Sequence, residues 1–306
     1  MTFLQMERKL IYLINPISGT KRKSLLRKTI EKRTSEKHLQ FAIDETRSDG
    51  DYFQLKERIK KEKLTDVIIC GGDGSVSTIT SFLLGTDVNI GIITTGSGNG
   101  LALAAGIPYS TEAALQIIFN GYSSLIDGFW INEKFSCMMC GMGSDAQIAH
   151  EFANRKSRGI KTYLRLSALQ YFKAHSYNFT VLSKDLSADF DAFFITISNS
   201  NQFGNHITIA PKASLNDGLF DIVIVKKMHK LMLPFALLYQ ISGSNALEKL
   251  KNYRNNKNIF YFQAREATII NNDKAPLHID GEPQPLTEKI KLKILPNAFR
   301  LLQPSL

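Results

Sequence analysis

Two apolar periods interleave along the first 125 residues. Leu10–Ile14 is a short apolar run that stops at Asn15-Pro16, as a strand entering a turn would. The basic stretch after it carries Leu25, Leu26 and Ile30 toward one side, which predicts a helix. Leu39, Phe41 and Ile43 alternate with His38, Gln40 and Ala42, the period of a strand. Tyr52, Leu55 and Ile59 return to helical spacing over residues 50–62. Val67–Cys70 and Ile90–Ile93 are apolar throughout, and Val76–Leu84 between them reads as a helix. Leu101–Ala105 and Thr111–Phe119 are predicted helices, the second capped by Ser110 or Thr111. Strand and helix in repeated alternation imply an α/β domain with a parallel sheet and helices on its faces. Strands covered on both faces are apolar at every position, as Val67–Cys70 and Ile90–Ile93 are.

Beyond about residue 125 the rhythm changes. Strand-like runs follow closely: Leu125–Ile131, Phe135–Cys140, Tyr177–Leu182, Ala192–Ser198, Leu219–Val225, Ile259–Phe262, Ala267–Ile270, Leu277–Ile279 and Ile290–Ile294. Helical stretches interrupt them near 145–174 and 230–251. Closely spaced strands predict a second, mainly antiparallel β domain. The expected division is 1–125 and 126–296, with a tight join that would leave a cleft between the domains.

Composition narrows the class. A chain of 306 residues is long enough for two domains. Its longest apolar stretches, such as Leu231–Leu238, fall short of the ~20 residues that span a bilayer. The first fifteen residues lack the apolar core of a secretory signal, and three cysteines are few and odd in number. These features point to the cytoplasm. The net charge of +10 is unevenly spread. Lys21, Arg22, Lys23, Arg27, Lys28, Lys32, Arg33 and Lys37 face only Glu31 and Glu36, and Arg155, Lys156, Arg158, Lys161 and Arg165 form a second cluster. Such patches attract polyanions or simply solvate a helix. No nucleic-acid motif accompanies them, so nucleic acid is not an expected partner.

The chemistry gathers in loops. Val67–Cys70 runs into Gly71-Gly72-Asp73-Gly74-Ser75 and Ile90–Ile93 into Thr94-Thr95-Gly96-Ser97-Gly98-Asn99-Gly100, each before a helix. Asn15-Pro16-Ile17-Ser18-Gly19-Thr20 leaves the first strand similarly. In a parallel sheet such loops lie beyond the carboxyl ends of the strands, where ligands bind. Glycines let the backbone approach a phosphate, and free N–H groups at a helix start favour its charge. No Gly-Lys-Ser/Thr is present in them, which excludes a P-loop. Asp73 would repel phosphate unless it holds a cation or a proton; its other reading is a helix cap.

The order of short motifs is more specific than any one of them. Asn15-Pro16-Ile17-Ser18-Gly19, Thr46, Gly71-Gly72-Asp73-Gly74-Ser75, Gly96-Ser97-Gly98-Asn99 and Asp127-Gly128 follow one another. Gly141-Met142-Gly143-Ser144-Asp145-Ala146, Ala210–Gly218 and Asp280-Gly281-Glu282 complete the series. In that order they resemble the diacylglycerol kinase and sphingosine kinase superfamily of lipid kinases. The resemblance implies an NAD kinase/diacylglycerol kinase-like α/β domain, a β-rich lipid-substrate domain and an ATP cleft between them, with 297–306 returning to the first domain. ATP would lie against Asn15, Pro16, Ser18, Thr46, Gly71, Gly72, Asp73, Gly74, Ser75, Thr78, Gly96, Ser97, Gly98 and Asn99. Glu282 would be the general base, and Asp73 and Asp127 would organise Mg²⁺. A structural Mg²⁺ would take Asp217 and the carbonyls of Ser214 and Leu219. A lipid substrate and peripheral contact with anionic membrane through the basic patches follow, and a homodimer is compatible with the sequence.

The chain also departs from its relatives. Their bacterial pattern after Gly-Gly-Asp-Gly is Thr-x-Asn-Glu, where this chain has Ser75-Val76-Ser77-Thr78. That keeps two other readings open: an NAD kinase-like small-molecule kinase, and a catalytically weak nucleotide- or lipid-binding protein. Cys137-Met138-Met139-Cys140 has redox spacing but lies in an apolar run, which favours core. His175, His206 and His278 are too scattered for a metal cluster. Phe235, Leu237 and Leu238 with Leu231–Leu233 read equally as core or as a lipid-facing wall.

Overall fold

The apolar runs of the first half become strands β1 (Lys9–Ile14), β2 (Gln40–Glu45), β3 (Asp66–Gly71) and β4 (Asn89–Thr94) in the computed structural model. It describes residues 8–18, 23–96, 98–153, 175–202, 208–248 and 258–305. The chain divides into two units, Met1–Ile126 with Ala298–Leu306, and Asp127–Asn297.

In the first unit the strands pair in parallel in the order β2-β1-β3-β4. Strands β1, β3 and β4 are buried almost throughout, whereas β2 lies at the edge and is half-buried. That difference explains why β2 alternates in sequence while β3 is uniformly apolar. Helix α1 (Lys23–Ser35) buries Leu26, Ile30 and Thr34, but Leu25 is exposed, contrary to its expected place on the apolar side. The Thr34 hydroxyl meets the Tyr12 hydroxyl at 2.9 Å and ties α1 to β1. Helix α2 (Phe53–Glu62) buries Leu55 and Ile59 and ends on Lys63 in the left-handed region. Helix α3 (Asp73–Leu83) starts three residues before the expected Val76, because Asp73-Gly74-Ser75 form its first turn. A short α4 (Gly100–Ala104) precedes α5 (Thr111–Asn120), whose Ala113 N–H is capped by the Ser110 hydroxyl. At the amino end of the sheet, Arg8 makes a two-pronged pair with buried Asp66, at 2.8 and 3.0 Å. Asn89 also donates to Asp66 at 3.1 Å, locking β3 and β4 together there.

The second unit holds β6 (Lys134–Ser136), β7 (Met139–Gly143), α6 (Ser144–Ala153), β8 (Tyr177–Ser183), β9 (Leu186–Ser198) and β10 (Phe220–Lys226). A 3₁₀ turn, Lys230–Met232, leads into α7 (Leu233–Ile241). Strands β11 (Ile259–Ala264), β12 (Glu266–Asn271), β13 (Leu277–Ile279) and β14 (Glu282–Gln284) follow. Strands β5 (Ser123–Ile131) and β15 (Lys289–Leu302) run through the points where the units divide. Pairing in this unit is antiparallel, in the order β14-β13-β7-β9-β8-β12-β15, with β10 on β9 and β11 on β10. The last residues of β15 belong to the first unit and extend its sheet in parallel, Arg300 opposite Asn89 and Leu301 opposite Ile90.

Alternate residues of β10 and β11 enter two cores. Ile222, Ile224, Phe260 and Phe262 pack with Phe129, Phe179, Phe190 and Phe220. Val223, Val225, Ile259 and Tyr261 pack with Phe193, Ile209 and Leu233. Burial on both faces is why these strands read as unbroken apolar runs. The expected strand Phe135–Cys140 is instead split into β6 and β7. The Ser136 hydroxyl accepts the Met138 N–H at 3.2 Å, turning the chain between them. Strand β14 was not foreseen, since Gly281-Glu282-Pro283 reads as a turn. The expected helix near 230–251 is a 3₁₀ turn and a nine-residue helix over its described part. Most of the helical stretch expected near 145–174, and the second basic cluster within it, lie outside the described residues.

Candidate functional site

Parallel neighbours share a direction, so β1, β3 and β4 release their loops at one edge of the first unit's sheet. The ladder continues past the strand ends: Asn15 N–H donates to the Cys70 carbonyl and Thr95 N–H to that of Gly71, both at 2.9 Å. Side chains tie the loops further. Asn15 Nδ2 donates to Ser75 Oγ at 2.8 Å, and the Ser18 and Thr95 hydroxyls share a bond of 2.6 Å. Asn15 Oδ1 accepts the N–H groups of Ile17 and Ser18, which folds the Pro16 turn.

The glycines provide space. A Cβ on Gly96 would stand 2.6 Å from the Gly72 Cα, and one on Gly98 would stand 2.6 Å from an Asp73 carboxylate oxygen. The β3 and β4 loops therefore meet backbone to backbone, with Asp73 against the second loop. Gly74 and Ser75 lie in the first turn of α3, where N–H groups lack partners within the helix and the dipole favours an anion. Asn99 adopts φ +57 and donates to the Gly96 carbonyl at 2.9 Å. Its Oδ1 is buried without a hydrogen-bond partner among the described residues. A phosphate-bearing ligand with polar hydroxyls suits this set of donors and this orphaned acceptor.

The remaining predicted positions are less uniform. The Thr46 N–H donates to the Ile14 carbonyl at 3.0 Å and closes the end of β2 onto β1. Thr78 is exposed on α3, within reach of Gly50 in the loop after Thr46, whereas Ser77 is buried. Ser97 lies outside the described residues. Two residues not foreseen join the group. Lys23 reaches back from α1 to the Ser18 carbonyl and stands 3.3 Å from its hydroxyl, and burial lowers its pKa. Tyr109 lies beside Asn99, and burial, then the Asp73 charge, raise its pKa while Asn99 lowers it. Lys23 had a sequence signal only as one member of the first basic cluster, and Tyr109 had none.

In the second unit, Glu282 is exposed at the start of β14. The turn before it is over-determined. Asp280 and Gly281 both have positive φ. The Asp280 carboxylate accepts the Ser136 hydroxyl at 2.6 Å and the Met139 N–H at 3.0 Å. The Gly281 N–H donates to His278 Nδ1 at 3.2 Å. His278 Nε2 therefore carries the proton it gives to buried Asp145, also at 3.2 Å. Thr196 donates to the same Asp145 oxygen at 3.2 Å. His278, too far in sequence from the other histidines to suggest a metal cluster, is thus part of the support of Glu282. The available signal was a polar residue in the apolar run Leu277–Ile279.

Asp127, expected to help organise Mg²⁺, is met by backbone donors. It is buried, and its two carboxylate oxygens accept the N–H groups of Gly218 and Asn297, each at 2.7 Å. Its own N–H donates to the Leu215 carbonyl at 2.7 Å. Asp127 thereby fixes the 214–219 loop. Asp217 is exposed in that loop. One of its oxygens accepts the Leu219 N–H at 3.1 Å and the other the Gln263 amide at 3.2 Å. Burial raises its pKa, the Leu219 N–H opposes this, and the Asp127 charge adds to the rise. Asp221 behind it is pushed up to about 6, mainly by burial, despite donors from Tyr261 and Gln263. A hard cation with oxygen ligands would relieve this crowding of carboxylates. Among the described residues no group of three or more His, Cys, Asp or Glu converges as a metal cage. Cys137 and Cys140 are buried and form no disulfide, and burial raises the Cys140 thiol pKa well above its ordinary value, as in a core cysteine.

Residues 9–131 match the diacylglycerol kinase catalytic domain, and residues 139–303 match the YegS C-terminal NAD kinase beta sandwich-like domain. A "Probable lipid kinase YegS-like" protein of Shewanella frigidimarina is 27% identical over 78% of this chain and 76% of its own length. A protein named diacylglycerol kinase in Bacillus subtilis is 25% identical over 71% of this chain and 70% of its own. A crystal structure of a diacylglycerol kinase from Bacillus anthracis superposes with a TM-score of 0.72 at 18% identity, covering 97% of each chain.

Proposed function

We propose the following reaction for this chain, which belongs to the diacylglycerol kinase superfamily of lipid kinases: transfer of the γ-phosphoryl group of ATP to a lipid hydroxyl. The observation that carries it is the backbone-to-backbone meeting of Gly72 and Gly96, beside Asp73 and the start of α3. Such a cradle admits phosphate oxygens close to N–H donors. Asn15, Ser18, Ser75 and Thr95 hold its shape through their mutual hydrogen bonds. The first unit is assigned to the nucleotide and the second to the lipid.

Phosphoryl transfer depends on positioning and charge neutralisation more than on covalent chemistry. The bond from the γ-phosphorus to the ADP oxygen breaks, a bond to the lipid oxygen forms, and the hydroxyl proton goes to Glu282. Asp280 and His278 keep the Glu282 turn from wandering, which preserves the approach of its carboxylate. Mg²⁺ accompanying ATP would supply neutralisation of the phosphate charge, with Asp73 among its holders. A second Mg²⁺ at Asp217 would be structural.

Replacing the proposed base should slow chemistry without unfolding the protein. Glu282→Gln is expected to lower kcat by about 10²–10⁴-fold, with the melting temperature unchanged. Asp73→Asn should lower kcat by at least a similar order. Near-wild-type turnover in either variant would remove that residue from the mechanism. NAD offered in place of lipid separates the other kinase reading.

A further inference from the structure

We propose that Asp145 is a positioning residue for Glu282, acting from a different element and only through the imidazole of His278. The motif Gly141-Met142-Gly143-Ser144-Asp145-Ala146, which the phosphate cradle leaves without a role, is where the device is built. The inference rests on the reading of Glu282 as the base of the reaction.

Register creates the gap that Asp145 fills. His278 of β13 stands opposite Gly141 of β7, and Gly141 stands opposite Thr196 of β9. Residues directly opposite in a ladder point to the same face, so His278 and Thr196 flank a position that has no side chain. Neighbouring strands lie about 4.8 Å apart, which leaves a gap of about 10 Å between the flanking strands. Asp145, in the first turn of α6, closes it. One of its oxygens accepts from Thr196 and from His278, each at 3.2 Å. A Cβ on Gly141 would overlap both that oxygen and His278 Nε2, so the contact requires glycine there. Asp145, Thr196 and His278 are all buried. Helix α6 is fastened to β13 a second time, where His150 Nε2 donates to the Leu277 carbonyl at 2.8 Å.

The consequence is a choice of tautomer. A neutral imidazole carries its proton on one nitrogen and accepts on the other. An acceptor fixed at Nε2 keeps the proton there and leaves Nδ1 open to the Gly281 N–H at 3.2 Å. Without Asp145 the buried Nε2–H lacks that acceptor, and a proton moved to Nδ1 would oppose the Gly281 N–H. The turn depends on this bond. Asp280 adopts φ +49, which a residue with a side chain keeps only where its surroundings impose it. The Asp280 carboxylate secures one side of the turn, through Ser136 and Met139. The Gly281 bond secures the side next to Glu282, whose exposed carboxylate goes where its backbone carries it. A displacement of about 1 Å at a reacting group can cost on the order of a hundredfold in rate.

The test compares Asp145→Leu, Asp145→Asn, His278→Asn and His278→Gln in the full chain. Asparagine at 278 brings an amide oxygen near the place of Nδ1, whereas glutamine brings its amide near that of Nε2. Asp145→Leu should lower kcat on a detergent-dispersed lipid by about ten- to a hundredfold, with KM for ATP unchanged. Asp145→Asn keeps an oxygen acceptor and should recover most of that loss. His278→Asn should keep most of the wild-type kcat, and His278→Gln should fall as Asp145→Leu does. Added to His278→Asn, Asp145→Leu should change kcat by less than about twofold, because its route through the imidazole is gone. An equal loss in both backgrounds would overturn the proposal, as would full turnover in Asp145→Leu or His278→Gln. Should Asp145→Leu fail to fold, the two His278 variants still decide. Amide hydrogen exchange at Gly281 reads the turn without turnover. It should be slow in the wild type and His278→Asn, and faster by about tenfold or more in Asp145→Leu and His278→Gln. Exchange equal in all of them would overturn the proposal. The expected exchange pattern in a protein that phosphorylates no lipid would uphold the positioning of the turn and defeat the reaction.

Discussion

Glycine at position 96 has a narrow reason to be there. Its neighbour is the Gly72 main chain, which cannot swing aside as a flexible side chain would. Gly96→Ala is expected to cost roughly 1–3 kcal/mol of stability, the range for overpacking. It should also weaken nucleotide binding, because the β3 and β4 loops must separate. Denaturant unfolding alongside titration with a fluorescent ATP analogue checks both effects. An alanine variant that binds as the wild type does would show that the close approach of these loops is not needed. Asp127 acts at the same scale: its carboxylate accepts two backbone N–H groups and holds a loop.

Loops and turns, rather than strands, carry the functional differences between elements. The turn before β14 is fixed by Asp280 and His278, and through His278 by Asp145. The 214–219 loop is fixed by Asp127 but leaves Asp217 exposed amid other carboxylates. If this loop takes Mg²⁺, the ion binds only the folded form and stabilises it by mass action. At about ten times its dissociation constant, Mg²⁺ should raise the melting temperature by roughly 2–6 °C. Asp217→Ala should abolish most of that rise. Melting curves with and without Mg²⁺ check this independently of turnover, and an equal rise in the variant would place the ion elsewhere.

At the scale of the molecule, the α/β first half and the antiparallel second half were legible, because burial on one or two faces leaves period-2 or unbroken apolar runs. The glycine loops were legible for the same physical reason: each follows a buried strand and precedes a helix. Partners distant in sequence were not. Nothing in the pattern connects His278 to Asp145, 133 residues away, or Ser18 to Thr95, 77 residues away. The exposure of Leu231, Phe235 and Leu238 beside buried Leu233 was equally illegible, since an apolar helix face reads the same whether it meets a core or water. The split of β6 from β7 hinged on one Ser136 hydroxyl. The central claim, that this fold moves phosphate from ATP to a lipid, is tested most directly by one incubation. Purified protein, Mg²⁺ and γ-labelled ATP are mixed with an extract of bacterial lipids, and the organic phase is resolved by chromatography. A labelled lipid that disappears with Glu282→Gln is the expected result. Label confined to the aqueous phase, with no lipid product, would contradict it.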